Sequence, residues 1–410
     1  MNQTILFTII IAVLLLQFAL ETILNYLNAL RFRDAIPEEL SDVFDKEAYR
    51  KSQDYKLHNY RFGLVSSVFS LLLTLGFLLL GGFEWADQLA LGISENPIWR
   101  ALIFFGIIML GSDLLSTPFS LYQTFVIEEK FGFNKTTPGL FILDKLKAWL
   151  LMLILGGGML ALIIWFYHWS GTSFWLYAWG LIAVFSVFIN LFYSKLIVPL
   201  FNKQTPLEEG SLRDKIKTYA QNAGFELQNI FVIDGSKRST KANAYFSGFG
   251  REKRVTLFDT LLSDLDEEEI VAVLAHEVGH YKRHHIVVNL IVSVLVTGFT
   301  LYLLSVFINN PELSLAIGVS QPSFHAGLIG FGILYSPLSE LTGLVMNYFS
   351  RKFEYQADNY AKSTYEATPL ITSLKKLSKN SLSNLTPHPA YVFVHYSHPP
   401  LINRILNLKA

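Results

Sequence analysis

Long apolar runs alternate with short polar stretches along this chain, and the runs set its architecture. Seven of them, near 4–28, 62–82, 99–121, 147–167, 173–200, 285–308 and 325–349, reach the roughly 20 residues that a helix needs to cross a bilayer. The polar stretches differ sharply in charge. Segments 29–61, 122–146, 201–284 and the tail after 350 hold nearly every Lys and Arg, whereas "GGFEWADQLALGISENP", "YHWSGTS" and "INNPELSLAIGVSQPSF" hold none, and Arg100 is the one basic residue on their side. The positive-inside rule then puts the N-terminus outside and the C-terminus in the cytoplasm, in agreement with an odd number of spans. The first run lacks a basic n-region and a small-residue cleavage site, and it is too long for a secretory leader, so it reads as a retained span.

Only 201–284 forms a sizeable polar insert between spans. There "PLEEGSLRDKIKTYAQNAGF" predicts an amphipathic helix ending at Gly224. "NIFVIDG" and "KRVTLFDT" predict strands, and "ANAYFSGFG" predicts a strand entering a glycine turn. "DLDEEEIVAVLAHEVGHYKRHH" opens with Asp266 and Glu269 at capping-box spacing and an acidic first turn. No Gly or Pro separates this helix from the apolar run that follows, which predicts one helix continuing into the sixth span. The tail after 350 reads as helical, then loop-like around "LTPHPAYVFVHYSHPP". The chain divides into 1–200, a membrane region of five helices; 201–284, a soluble domain; 285–350, spans six and seven; and 351–410, which returns to the soluble domain.

Composition narrows the chemistry. Half the residues (51%) are hydrophobic and the formal net charge is zero, which fits a polytopic membrane protein and gives no footing for nucleic acid. Cysteine is absent, so a metal site must use His, Asp or Glu. His276 and His280 are four apart and share a helix face, and Glu277 beside them can reach a metal-bound water. This H-E-x-x-H pattern supplies two zinc ligands and a general base; the plain alternative is a surface helix with two unrelated histidines. "NYFSRKFEYQADNYA" offers the third ligand, Glu354, with Asp358 one turn later to receive the second ring N–H of a ligating histidine. Within the spans Asp113, Asn190 and Glu340 suggest a water-filled interior, or else buried, neutral, hydrogen-bonded acids. Pro337 predicts a kink in the seventh span.

The segments "YRKSQDYKLHNYRFGLVSS", "FVIEEKFGFNKTT", "ANAYFSGFGREKRVTLFDTLL", "HEVGHYKRHH", "RKFEYQADNYA" and "HYSHPPLINRI", in this order, resemble the type I CAAX prenyl proteases, integral-membrane zinc metallopeptidases. The resemblance implies seven transmembrane helices enclosing a chamber, closed at the cytoplasmic end by a small α+β zinc protease domain of gluzincin type. It implies one Zn2+ per chain, a peptide or protein substrate with a hydrophobic or lipidated C-terminus, and contact with membrane lipid. It also implies that Asn243 aligns the substrate backbone from an edge strand, that His398 assists the developing oxyanion, and that Arg404 braces the metal shell through Asp358. His284 and His285 follow the motif closely; His284 shares the ligand face of the predicted helix and reads as a packing or supporting residue. The 410-residue length and the lack of an ER-retention signal resemble bacterial members, so the expected location is a bacterial cytoplasmic membrane, or the ER membrane for a eukaryotic source. Two other functions stay open: a membrane quality-control protease, and a transporter or scaffold with structural zinc.

Overall fold

The computed structural model describes residues 2–224, 229–248 and 253–410; the end of the glycine turn expected after "ANAYFSG" lies outside them. The apolar runs are helices with side-chain caps where the sequence provides them. Asn2 accepts the Thr4 N–H (2.9 Å), Asp45 the Ala48 N–H (2.7 Å) and Ser323 the Ala326 N–H (3.3 Å). Among the described residues six helical stretches are long and apolar enough to span a bilayer: Gln3–Arg33, Lys46–Leu79, Pro97–Phe131, Pro138–Phe201, His285–Phe307 and Phe324–Thr364. The fourth contains both the fourth and fifth predicted spans. Gly171, at φ 58°, interrupts it, and the helices on either side meet through Trp169 and Tyr177 (5.1 Å). Pro337 lies inside the last stretch and does not end it.

The spans touch one another mainly at one end. Leu6, Phe83, Ala86, Phe104 and Ile317 form one buried cluster there, and Ile164, Phe174, Leu304 and Phe324 another. The segment Gly82–Ile93, which reads as a loop by charge, is a helix in that layer, because Phe83, Ala86 and Ala90 fall on one face and bury together. Arg100 is held there by buried Asp87 (2.9 and 2.5 Å), so the only basic residue of that side is neutralised. Along their middle stretches the helices bury nothing, and at the opposite end Tyr55, Ile127 and Phe131 are buried again. No residue in 11–23, 56–77, 105–126, 134–163, 179–193, 286–297 or 332–353 is buried. A solid bundle would bury an inner face. The total accessible surface, 20571 Å2 for 46.5 kDa, exceeds the roughly 16,000 Å2 of a compact chain of that mass.

The polar insert carries a four-stranded sheet of order β1-β2-β4-β3: β1 Gln204–Pro206, β2 Ile230–Ile233, β3 Ala244–Ser247 and β4 Arg254–Phe258. β2 and β4 are parallel, and β1 and β3 flank them antiparallel. Ile216, Leu257, Leu261, Ile270, Leu274 and Leu370 make the core beneath this sheet. The motif helix, Glu267–Lys282, starts with the expected capping box: Asp266 accepts the Glu269 N–H and Glu269 the Asp266 N–H, both at 3.0 Å. It does not continue into the membrane. It stops at Lys282, His284 takes a left-handed conformation (φ 59°), and a separate helix begins at His285. The expected single helix is therefore two. Histidine tolerates φ > 0 better than a β-branched residue does, so the break needs no glycine and leaves no sequence mark. The opposite junction is continuous, since Phe324–Thr364 runs 41 residues from the membrane into the soluble domain. Helices Ala367–Asn380, Pro389–His395 and Leu401–Lys409 complete the chain; the second of these interrupts the expected loop.

Candidate metal centre

The motif helix crosses the long helix at Gly279. A Cβ there would lie 3.0 Å from the Ala357 Cα and 3.1 Å from its carbonyl oxygen, so only glycine permits this approach. The close crossing brings three side chains together. His276 Nε2 and His280 Nε2 are 3.2 Å apart. Glu354 Oε2 lies 3.4 Å from the first, and Oε1 3.3 Å from the second. Four ligands around an ion at bonds of 2.0–2.1 Å stand about 3.3–3.4 Å from each other, so the spacing fits tetrahedral zinc. Glu354 is buried; its Oε2 accepts no hydrogen bond, and the Arg404 Nη1 cation lies 3.4 Å from it.

Asp358 and Arg404 support this cluster from behind. His276 Nδ1–H donates to Asp358 Oδ1 (2.9 Å), which leaves Nε2 as the lone-pair nitrogen facing Glu354. Arg404 donates to both Asp358 oxygens, at 2.5 and 2.9 Å, in a fork that carboxylate geometry matches. Burial and the Arg404 charge push the His276 imidazole pKa down, but Asp358 and Glu354 outweigh them and hold it up at about 9. A position that attracts a proton this strongly also attracts a divalent cation, which would displace it.

The cluster opens onto a cavity of about 410 Å3 lined by Asn243, Tyr245, Glu277, His285, Asn289 and His398 among others. Glu277 is half-buried on its wall. His398, largely exposed, has Nε2 at 3.2 Å from Glu354 Oε1 and its other nitrogen at 3.0 Å from Ser397 Oγ. Asn243 immediately precedes β3 and is exposed; its Oδ1 accepts the Ala244 N–H (2.9 Å). A second cavity of about 470 Å3, lined by Phe185, Ser186, Asn190, Ile286, Asn289 and Ser293, shares Ile286 and Asn289 with the first. It leads along the sixth span toward mid-membrane.

Residues 206–410 match peptidase family M48, and residues 25–203 match the family described as CAAX prenyl protease N-terminal, five membrane helices. A CAAX prenyl protease 1 homolog of Arabidopsis thaliana is 36% identical over 97% of this chain and 96% of its own. The chain belongs to peptidase family M48. Within the family, CAAX prenyl protease 1 of Saccharomyces cerevisiae is 35% identical over 96% of this chain and 92% of its own. The crystal structure of S. mikatae Ste24p superposes with a TM-score of 0.94 at 34% identity, covering 99% of both chains. This chain is accordingly a multi-pass membrane metallopeptidase.

In this M48 peptidase all eight site residues expected from sequence surround one cavity or stand directly behind it. Two further residues belong with them. His285 is buried, its Nδ1 lies 3.1 Å from His280 Nδ1, and its Nε2 lies 2.8 Å from Gln356 Oε1. His285 also stacks on Phe353 at 4.1 Å. Its neighbour His284, expected to share the ligand face, is instead exposed in the break. The break itself turns His285 toward His280, so a reading of one unbroken helix had to choose the wrong histidine. Neither Asp113 nor Glu340 is buried: Asp113 pairs with Lys145 and accepts from Trp149 Nε1, both at 2.8 Å, and exposed Glu340 accepts from Gln17 (2.7 Å).

Proposed function

We propose that this protein is a zinc metalloendopeptidase that cleaves peptides with hydrophobic or prenylated C-terminal ends; its relatives are named CAAX prenyl proteases. The observation that carries this reading is the 3.2–3.4 Å triangle of His276, His280 and Glu354 on the wall of a cavity that continues between membrane helices. Among the described residues three ligand atoms converge, which favours the open coordination of a catalytic site over the closed shell of a structural one. Zinc held there supplies a Lewis acid that acidifies a water and polarises the scissile carbonyl.

The protein's own groups do the rest. Glu277 takes the proton of the attacking water and delivers it to the leaving amine. His398 donates to the carbonyl oxygen as negative charge develops on it. Asn243, immediately before the outer strand β3, holds the substrate backbone extended. Asp358 and Arg404 fix the tautomer and orientation of His276. The hollow between seven membrane crossings is the chamber that receives the apolar end, with the N-terminus outside and the site at the cytoplasmic face. Purified protein should turn over a farnesylated peptide faster than its unmodified counterpart, and equal rates would reduce the reading to a general hydrophobic-peptide protease. Glu277→Gln should retain zinc and fold while turnover falls by roughly 10²–10⁴. Full activity in the zinc-loaded variant would overturn the mechanism.

A further inference from the structure

The two histidines of the metal cluster come from one helix but are supported differently. Behind His276 stands a carboxylate: Asp358 accepts its Nδ1–H and is itself held by Arg404. Behind His280 stands a second imidazole. His280 Nε2 faces His276 Nε2 (3.2 Å) and Glu354 (3.3 Å), and its other ring nitrogen, Nδ1, lies 3.1 Å from His285 Nδ1. The remaining nitrogen of His285, Nε2, lies 2.8 Å from Gln356 Oε1.

The proton positions follow outward from the cluster. A metal takes the Nε2 lone pair of His280, which leaves the proton of that neutral ring on Nδ1. His285 Nδ1 must then accept, so the His285 proton sits on Nε2. There it meets the Gln356 amide oxygen, which is an acceptor. One tautomer of each ring therefore satisfies all three contacts. The ring of His285 is also held in place. It is buried and stacks on Phe353 (4.1 Å, 12° between planes), one turn before Gln356 on the helix that carries Glu354 and Asp358. The left-handed backbone at His284 brings it there from beyond the end of the motif helix. Among the described residues only His276, His280 and Glu354 bring three ligand atoms together, so His285 stands behind a ligand and is not one itself.

We propose that His285, braced by Gln356, is a positioning residue for the metal site: it accepts the Nδ1–H of His280 and so fixes the tautomer and the angle at which His280 meets zinc. This rests on the zinc reading above and adds to it an uncharged support that matches, for His280, what Asp358 does for His276. Such partners behind a ligand are worth 10–100-fold in metal affinity. The long helix then orients both ligand histidines, one directly through Asp358 and the other through Gln356 and His285.

The test uses the full-length protein, stripped of metal and reloaded. Zinc affinity is read by competition with a chelator, and ligand geometry by the visible spectrum of the cobalt(II) form. His285→Phe keeps a ring on Phe353 but removes the acceptor; zinc should bind about 10–100-fold more weakly and the cobalt bands should shift. His285→Asn gives up the stack but offers its Oδ1 close to the place of Nδ1, so it should recover most of that affinity. A role in packing alone gives the reverse order, with the phenylalanine variant near wild type and the asparagine variant the weaker. That order, or wild-type affinity and spectrum in His285→Phe, overturns the proposal. Gln356→Met leaves the ring packing in place and should weaken zinc binding by a smaller factor. Unchanged affinity there also overturns the proposal, and decides it should a ring variant fail to fold. A wild-type chain that binds no zinc removes the reading above as well, whereas zinc bound equally by wild type and variants removes only the role of His285.

Discussion

The two helices that supply metal ligands both adjoin membrane spans, yet they join them differently. Phe324–Thr364 passes without interruption from the bilayer to Glu354 and Asp358. The motif helix ends at Lys282, and the membrane helix restarts at His285 after the left-handed turn at His284. The long helix therefore sets the height of the site relative to the membrane. The break frees the other pair of helices to satisfy different neighbours. Before it, Gly279 packs on Ala357. After it, the membrane helix leans on the fifth span, where Trp179 Nε1–H donates to the Val294 carbonyl (2.7 Å) and Gly298 makes room for the same indole. One straight helix could not meet both. A metal centre needs its ligands fixed against one another, and a single rigid connection to the bilayer is sufficient for that.

The largest effects should come from the ligands themselves, and they test whether both helices contribute equally. His276→Ala and Glu354→Ala should each lose bound zinc and all activity, measured by elemental analysis of the purified protein. Stoichiometric zinc in Glu354→Ala would mean that the long helix positions the site without ligating. Arg404→Met should follow, because it leaves the buried Asp358 carboxylate without its forked partner. A cost of about 3–5 kcal/mol in thermal unfolding is expected, with only partial recovery in Arg404→Lys, which lacks the planar fork.

Gly279→Ala should be milder. Its methyl group would press on the Ala357 backbone, and overpacking of this kind costs about 1–3 kcal/mol. Activity should fall with it as the ligand triangle opens, and unchanged melting and turnover would show that the crossing can relax. The smallest effect separates the junctions by sign. His284→Gly removes the Cβ from a left-handed position and should stabilise by roughly 0.5–1 kcal/mol. Ser350→Gly, inside the unbroken helix, should destabilise by a similar amount. The same sign at both sites would mean that the two junctions are alike in solution.

Much of the site was legible because it depends on local spacing. Ligands four apart on a helix face, a capping box and apolar runs of span length are short-range properties, and the strands at 230–233, 244–247 and 254–258 followed from β-branched and aromatic runs. β1 was not legible: Gln204–Pro206 contains too little pattern, and only pairing with β2 makes it a strand. The helix Gly82–Ile93 was hidden by reading its segment for charge alone. His285 and Gln356 could not be assigned, because their meeting depends on a backbone turn that a single histidine adopts under tertiary constraint.

By itself the sequence determined the membrane spans, the charge asymmetry across them, the ligand types and the family. These are properties of composition and of residues a few positions apart, which persist in any packing of the chain. Tertiary structure alone decided how closely the two ligand helices approach, where the motif helix ends, and that the middle stretches of the spans stay unburied. Each of these depends on where groups distant in sequence stand relative to one another, and only the packed chain fixes such distances.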